Sequence, residues 1–240
     1  LRSAAWLCKR FGYSVTLNDP ATRHGKTPLA DEKKYFRAIL KETRESMPAE
    51  FATRASLRVE SAFVRAGFYR DSQAIVLYSP LGNEVSTDLI FDDAVAAGYA
   101  IFYPRLNRAS ATLELCRVES RSDLAPGAYG ILEPATPLRE LPPMSAASLP
   151  PCVVVVPGLA FTRNGERIGR GGGHYDRLLA ELPPHAIKVG LAYSFQLLDQ
   201  LPQAAWDQRL NFVVTESAIY PAPDQVWRES GLRAQGGNPR

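Results

Sequence analysis

Residues 153–177 read VVVVPGLAFTRNGERIGRGGGHYDR. Four successive valines leave no polar face, which marks a strand covered on both sides. Pro157-Gly158 stops that strand. Beyond it, Gly171, Gly172 and Gly173 follow Arg170 without a break. Three glycines lose much backbone entropy on ordering, but they also remove every Cβ, so backbone N–H groups can close around a phosphate. Arg167 and Arg170 supply positive charge for such a ligand. Asp176 supplies a hard oxygen for Mg2+, which binds through carboxylate and phosphate together. A glycine run is also what a flexible turn looks like. The segment has neither the G-x-x-x-x-G-K-[ST] of a P-loop nor a G-x-G-x-x-G after a strand.

Working outward from this segment, elements alternate. A helix is expected from near Asp31, with Phe36, Ile39, Leu40 and Met47 at helical intervals. Lys34, Arg37, Lys41 and Arg44 form a second, basic stripe on it. Pro48 can open another helix, with Gly67 at its end. Strands are expected over 73–79, 99–104, 112–118, 187–192 and 212–215. Helices are expected from Ser86 or Thr87 to Gly98, over 176–182 and over 194–201. Six prolines in 133–151 predict an extended connection. The pattern predicts an α/β single domain: a mostly parallel central sheet flanked by helices and preceded by two N-terminal helices. The expected boundaries are an extension over 1–30, the domain over 31–220 and a tail over 221–240.

The chain has 240 residues, 45% hydrophobic and 22% charged, which fits a packed core. A net charge of +3 is too small to argue for nucleic acid and suits a small anionic ligand. Cys8, Cys116 and Cys152 are odd in number and widely spaced. They suggest neither a disulfide framework nor a zinc site, and a reducing compartment is the natural reading. No apolar run is long enough to span a membrane. The first 30 residues hold Arg2, Lys9, Arg10, Arg23 and Lys26 against one acid, Asp19. The expected location is cytoplasmic, or mitochondrial if this stretch is a transit peptide. A monomer without nucleic-acid or membrane partners is expected.

The run PGLAFTRNGERIGRGGGHYDR resembles the signature of 5-formyltetrahydrofolate cyclo-ligases, roughly P-G-x-A-F-D-x-x-G-x-R-L-G-x-G-x-G-Y-Y-D. Lys33-Lys34-Tyr35-Phe36-Arg37 is similar to that family's opening K-x-x-L-R. The strand and loop over 78–87, the Tyr129-Gly130-Ile131-Leu132-Glu133-Pro134 run and residues 190–215 resemble further family segments. The resemblance implies ring closure of 5-formyltetrahydrofolate to 5,10-methenyltetrahydrofolate, with ATP as co-substrate and Mg2+ as cofactor. It implies Lys33 and Arg170 as catalytic cations. It assigns ATP to Lys33, Lys34, Tyr35, Phe36, Arg37, Arg167, Ile168, Gly169, Arg170, Gly171, Gly172, Gly173, His174 and Tyr175. Ser79, Glu84 and Tyr175 are implied to hold the folate, and Asp176 and Asp207 the Mg2+. From the residues alone, Lys33 and Arg37 read as a solvated basic stripe, Glu84 also fits a loop carboxylate in water, and Asp207 fits a helix or turn cap as well as a metal ligand. Four positions depart from the pattern. Thr162 stands for an aspartate and is expected on the loop's outer side. His174 stands for a tyrosine, Phe36 for a leucine, and Trp206 for the frequent histidine before Asp207.

Overall fold

The computed structural model describes residues 29–127, 130–135 and 142–223. The N-terminal extension, Tyr129 and nearly all of the expected tail lie outside the described residues. Helix α1 spans Leu29–Glu45, so the expected boundary at residue 30 falls inside it. Helix α2 (Ala49–Val64) starts directly after Pro48. Gly67 does not end α2 but opens a one-turn helix, α3 (Gly67–Arg70). Strand β1 (Ala74–Val76) and helix α4 (Asp88–Ala96) lead to a long hairpin of β2 (Ala100–Asn107) and β3 (Thr112–Arg117). A small ribbon of β4 (Leu124–Pro126) and β5 (Leu132–Pro134) follows. The valine run is β6 (Cys152–Val156). Short strands β7 (Ala160–Thr162) and β8 (Arg167–Ile168) precede helix α5 (His174–Ala180). The chain continues through β9 (Ile187–Leu191), β10 (Leu197–Leu198), β11 (Phe212–Val214) and β12 (Ile219–Pro221).

Seven strands form the central sheet in the order β12-β11-β9-β6-β1-β2-β3. The five inner strands run parallel, and β12 and β3 pair antiparallel at the edges. Side chains alternate between the faces. Ile75, Val153, Val155, Val189 and Leu191 pack with Val59 and Phe63 of α2, Phe68 of α3 and Ile90 of α4. Val76, Val154, Val156 and Val213 pack on the other side with Leu178 and Leu179 of α5. Covering both faces is what the unbroken valines require. Cys116 and Cys152 are buried, and burial pushes the Cys152 thiol up to about 11.

Three local expectations need correction. Residues 194–201 are not a helix. A single 3-10 turn, Ser194–Gln196, gives way to β10, which pairs parallel with β7. Gln196 explains it, because its amide donates to the carbonyls of Gly158 (3.2 Å) and Leu159 (3.0 Å) and ties the segment beside β7. Thr162 is not on the outer side of its loop. It is fully buried in β7, and its hydroxyl donates to Glu166 Oε2 at 3.0 Å. The basic stripe on α1 is split: Lys34 and Lys41 face solvent, while Arg44 is buried. Lys33, Phe36, Arg37, Leu40 and Arg44 share one face at steps of three and four. Phe36 and Leu40 anchor that face on Ala160 and Ile168 of the β10-β7-β8 sheet and on Leu159 and Leu201 beside it. A helical pattern shows two stripes but not which one a neighbouring sheet will cover.

Candidate active site

In an open parallel sheet, ligands bind beyond the carboxyl ends of the strands, where successive connections turn opposite ways. Here that point lies between β1 and β6. From β1 the chain steps outward to β2; from β6 it steps the other way to β9 and β11. The loop after β1 carries Ser79 and Glu84. The loop after β6 carries the glycines. Helix α1 lies across both.

On the β1 side, Glu84 is a buried carboxylate, its side chain 7% exposed. Oε1 receives Arg44 at 3.2 Å and Arg170 at 2.8 Å, and Oε2 accepts the Leu81 N–H at 3.0 Å. Three phenols stand around it. Burial first, and the Glu84 charge second, push the Tyr78 and Tyr175 hydroxyls well above their ordinary range. Burial also raises Tyr193. All three therefore stay protonated at neutral pH. Ser79 Oγ, Arg44 Nε and Arg167 Nε are buried without a hydrogen-bond partner. Orphaned polar atoms of this kind are costly unless a ligand or water completes them.

On the β6 side, the glycine loop is held against α1. Arg37 Nε donates to the Gly169 carbonyl at 3.0 Å. Gly171 adopts φ +109°, and a Cβ there would lie 3.4 Å from the Arg37 guanidinium carbon. The contact itself is an ordinary one, and it is the left-handed backbone angle that favours glycine at this point. Two other cations of this corner are matched with acids. Lys33 pairs with Asp207, and Arg167 with Asp176 at 2.7 Å. The Gln208 N–H also reaches Asp176 Oδ1, at 3.3 Å, which links the two pairs. At the far end of the loop, His174 Nδ1 and Arg177 meet the carbonyl of Ala111 at the β2–β3 hairpin tip, at 2.9 and 2.8 Å.

A family model described as the 5-formyltetrahydrofolate cyclo-ligase family matches residues 30–216. The chain belongs to that family. It is 27% identical to the 5-formyltetrahydrofolate cyclo-ligase of Mus musculus, covering 78% of this chain and 94% of the relative. It is 29% identical to the cyclo-ligase of Escherichia coli K12, over 77% of this chain and 96% of that protein. Its fold matches the solution structure of Aquifex aeolicus 5,10-methenyltetrahydrofolate synthetase with a TM-score of 0.69 and 30% identity. That match covers 85% of this chain and 99% of the other.

For a cyclo-ligase family member, the placement of the expected residues is informative. Lys33, Arg37, Arg167, Arg170, Asp176 and Asp207 come together with the glycines in one corner, although Lys33 and Asp207 are 174 residues apart. Lys34 and Tyr35 face solvent, Phe36 packs on the small sheet, and the Ile168 side chain is buried with it. Tyr175 lies under the Arg167 guanidinium, 5.9 Å from ring centroid to carbon, between the two halves of the site. Arg44 was missed as a site residue. No local signal separates it from its exposed neighbours on the same helix.

The acids also bear on Mg2+. Asp176 uses Oδ1 for both its contacts, with Arg167 and with Gln208 N–H. Asp207 uses Oδ2 for both of its own, with Lys33 and the Ala204 N–H. Among the described residues, no group of three His, Cys, Asp or Glu could cage a metal unaided. Two hard carboxylates beside the glycine loop fit the chemistry of Mg2+, which takes one or two carboxylates and completes its octahedron with other oxygens.

Proposed function

We propose that this protein uses ATP to convert 5-formyltetrahydrofolate to 5,10-methenyltetrahydrofolate, releasing ADP and phosphate. The formyl oxygen is a poor leaving group. In this reading it attacks the γ-phosphorus, and the bond from that phosphorus to ADP breaks. N10 of the folate then bonds to the formyl carbon and gives up its proton. The C–O bond breaks, and the former formyl oxygen departs in phosphate. No protein nucleophile is needed. The chain's task is to hold two substrates in line and offset developing charge.

One observation carries the reading: Arg170 of the glycine loop reaches the buried Glu84 carboxylate at 2.8 Å. A phosphate cradle and an acceptor for the pterin's amino-pyrimidine N–H groups therefore adjoin, as a reaction between ATP and a reduced folate requires. A carboxylate accepts two such N–H donors side by side. The unpartnered Ser79 hydroxyl, at the end of β1, offers a further bond to the folate. The glycine-loop N–H groups, Arg37 and Arg170 bind the phosphates, and Lys33 is placed to neutralise the leaving ADP. Asp176 and Asp207 would hold Mg2+, which screens the phosphate charge. Neutral Tyr175 walls the passage between the two substrates.

The test is to incubate the protein with ATP, Mg2+ and 5-formyltetrahydrofolate and follow methenyltetrahydrofolate by its absorbance. Product must appear only when ATP is present, with one ADP for each folate closed. Folded protein that hydrolyses no ATP and forms no product refutes the reading.

A further inference from the structure

Resting on that reading, we propose that Arg44 is a positioning residue for the folate: it holds the Glu84 carboxylate in place while Arg170 departs. Arg44 lies in the last turn of α1, its side chain 4% exposed. Its Nη1 lies 3.2 Å from Glu84 Oε1 and donates to the Gly158 carbonyl at 3.4 Å. It thereby joins the loop after β1 to the loop after β6. The neighbouring residue tightens the same joint. Asn83 Nδ2 donates to the carbonyls of Arg44 (3.1 Å) and Met47 (3.2 Å), so the helix end and the carboxylate-bearing loop are tied in both directions. Ser56 adds a third tie, accepting from the Ser86 N–H at 3.1 Å and sharing a 2.9 Å bond with the Tyr193 hydroxyl.

Bonding and burial separate the two arginines. Each carboxylate oxygen has two lone-pair sites. Oε1 accepts one hydrogen bond, from Arg170, and Oε2 accepts one, from Leu81 N–H, while Arg44 faces Oε1 at 3.2 Å as an ion-pair partner. One site therefore stays open on each oxygen for two parallel N–H donors of a ligand, and the Arg44 charge holds the carboxylate without occupying either. Arg170 is 48% exposed and sits on the glycine loop. Arg44 is buried on a packed helix, where moving a charge is far more costly. Arg170 is the exchangeable partner and Arg44 the permanent one. The two residues then affect different constants. Arg170, passing to phosphate, bears on both substrates and on the rate. Arg44 bears on the folate alone.

The experiment measures binding of 5-formyltetrahydrofolate and of MgATP separately by calorimetry, and both KM values, for wild type, Arg44→Lys and Arg44→Met. Arg44→Met removes the buried counter-ion that positions the folate's acceptor and weakens folate binding roughly tenfold. MgATP affinity stays within about twofold, a difference too small to count as a lost hydrogen bond. Arg44→Lys recovers part of the loss, since charge returns without the planar fork. Arg44→Met leaves a buried carboxylate unpaired, so Arg44→Met/Glu84→Gln serves as the folded control. It melts cooperatively and stays weak for folate. Unchanged folate affinity in a cooperatively melting Arg44 variant overturns the proposal, and so does an equal loss for both ligands. Wild-type protein that binds no folate overturns the cyclo-ligase reading and this proposal together. Wild-type turnover with indifferent Arg44 variants sinks only the latter.

Discussion

The two halves of the cleft hold charge in opposite ways. At the end of β1, the Arg44–Glu84 pair is buried and braced by Asn83, Ser56 and Tyr193. In the corner of the glycine loop, three cations already have an acidic mate, Lys33 with Asp207, Arg167 with Asp176 and Arg170 with Glu84, while Arg37 holds the Gly169 carbonyl. The first half is preorganised by contacts within the protein. On the proposed reading the second half must trade partners, since a triphosphate would compete for the same cations. What differs is burial. A buried pair cannot be opened cheaply, whereas an arginine at the surface changes partners at little cost.

That contrast is open to attack at several points. The largest effect is expected at Glu84→Ala, which strands Arg44 without its counter-ion and costs about 3–5 kcal/mol of folding free energy. Urea titration measures it; a loss below about 1 kcal/mol, the worth of a surface pair, erases the difference between the halves. Arg170→Ala comes next, with the rate falling on the order of 10²-fold as for loss of one electrostatic donor. Its midpoint in urea stays near wild type, because a half-exposed pair contributes little. A large stability loss at Arg170 places it in the braced half. Chelation of Mg2+ has the smallest structural effect. Turnover stops and returns when Mg2+ is added back, while the melting temperature of the ligand-free protein hardly moves, because both aspartates are paired with cations. A marked fall on chelation makes the metal part of the fold.

Much of this was legible in the order of residues. Four valines and three glycines are short-range signals, and they gave β6 and the loop that α5 follows. The family likeness brought Lys33, Arg37, Glu84, Asp176 and Asp207 to one place on the page before the fold did. What the sequence hid was long-range. Whether Arg37 and Arg44, or Lys34 and Lys41, face inward depends on a small sheet built from residues 160–198. The 194–201 stretch has helical spacing, but the Gln196 amide finds two carbonyls on another strand, and tertiary contact overrode local preference. Thr162 looked like a loop residue because its hydroxyl partner, Glu166, is only evident once β7 and β8 pair. The mating of each acid with a distant base could not be read from either residue alone.

The link between Lys33 and Asp207 has a temporal side. It joins the first helix of the domain to a loop just before the penultimate strand of the sheet. During synthesis, a nascent chain carries its basic helix long before the ribosome releases the aspartate that answers it. The β1 half can close once the segment through Tyr193 has emerged, but the phosphate corner must wait for residue 207. A ribosome-bound chain stalled between those points should recognise folate before it recognises nucleotide.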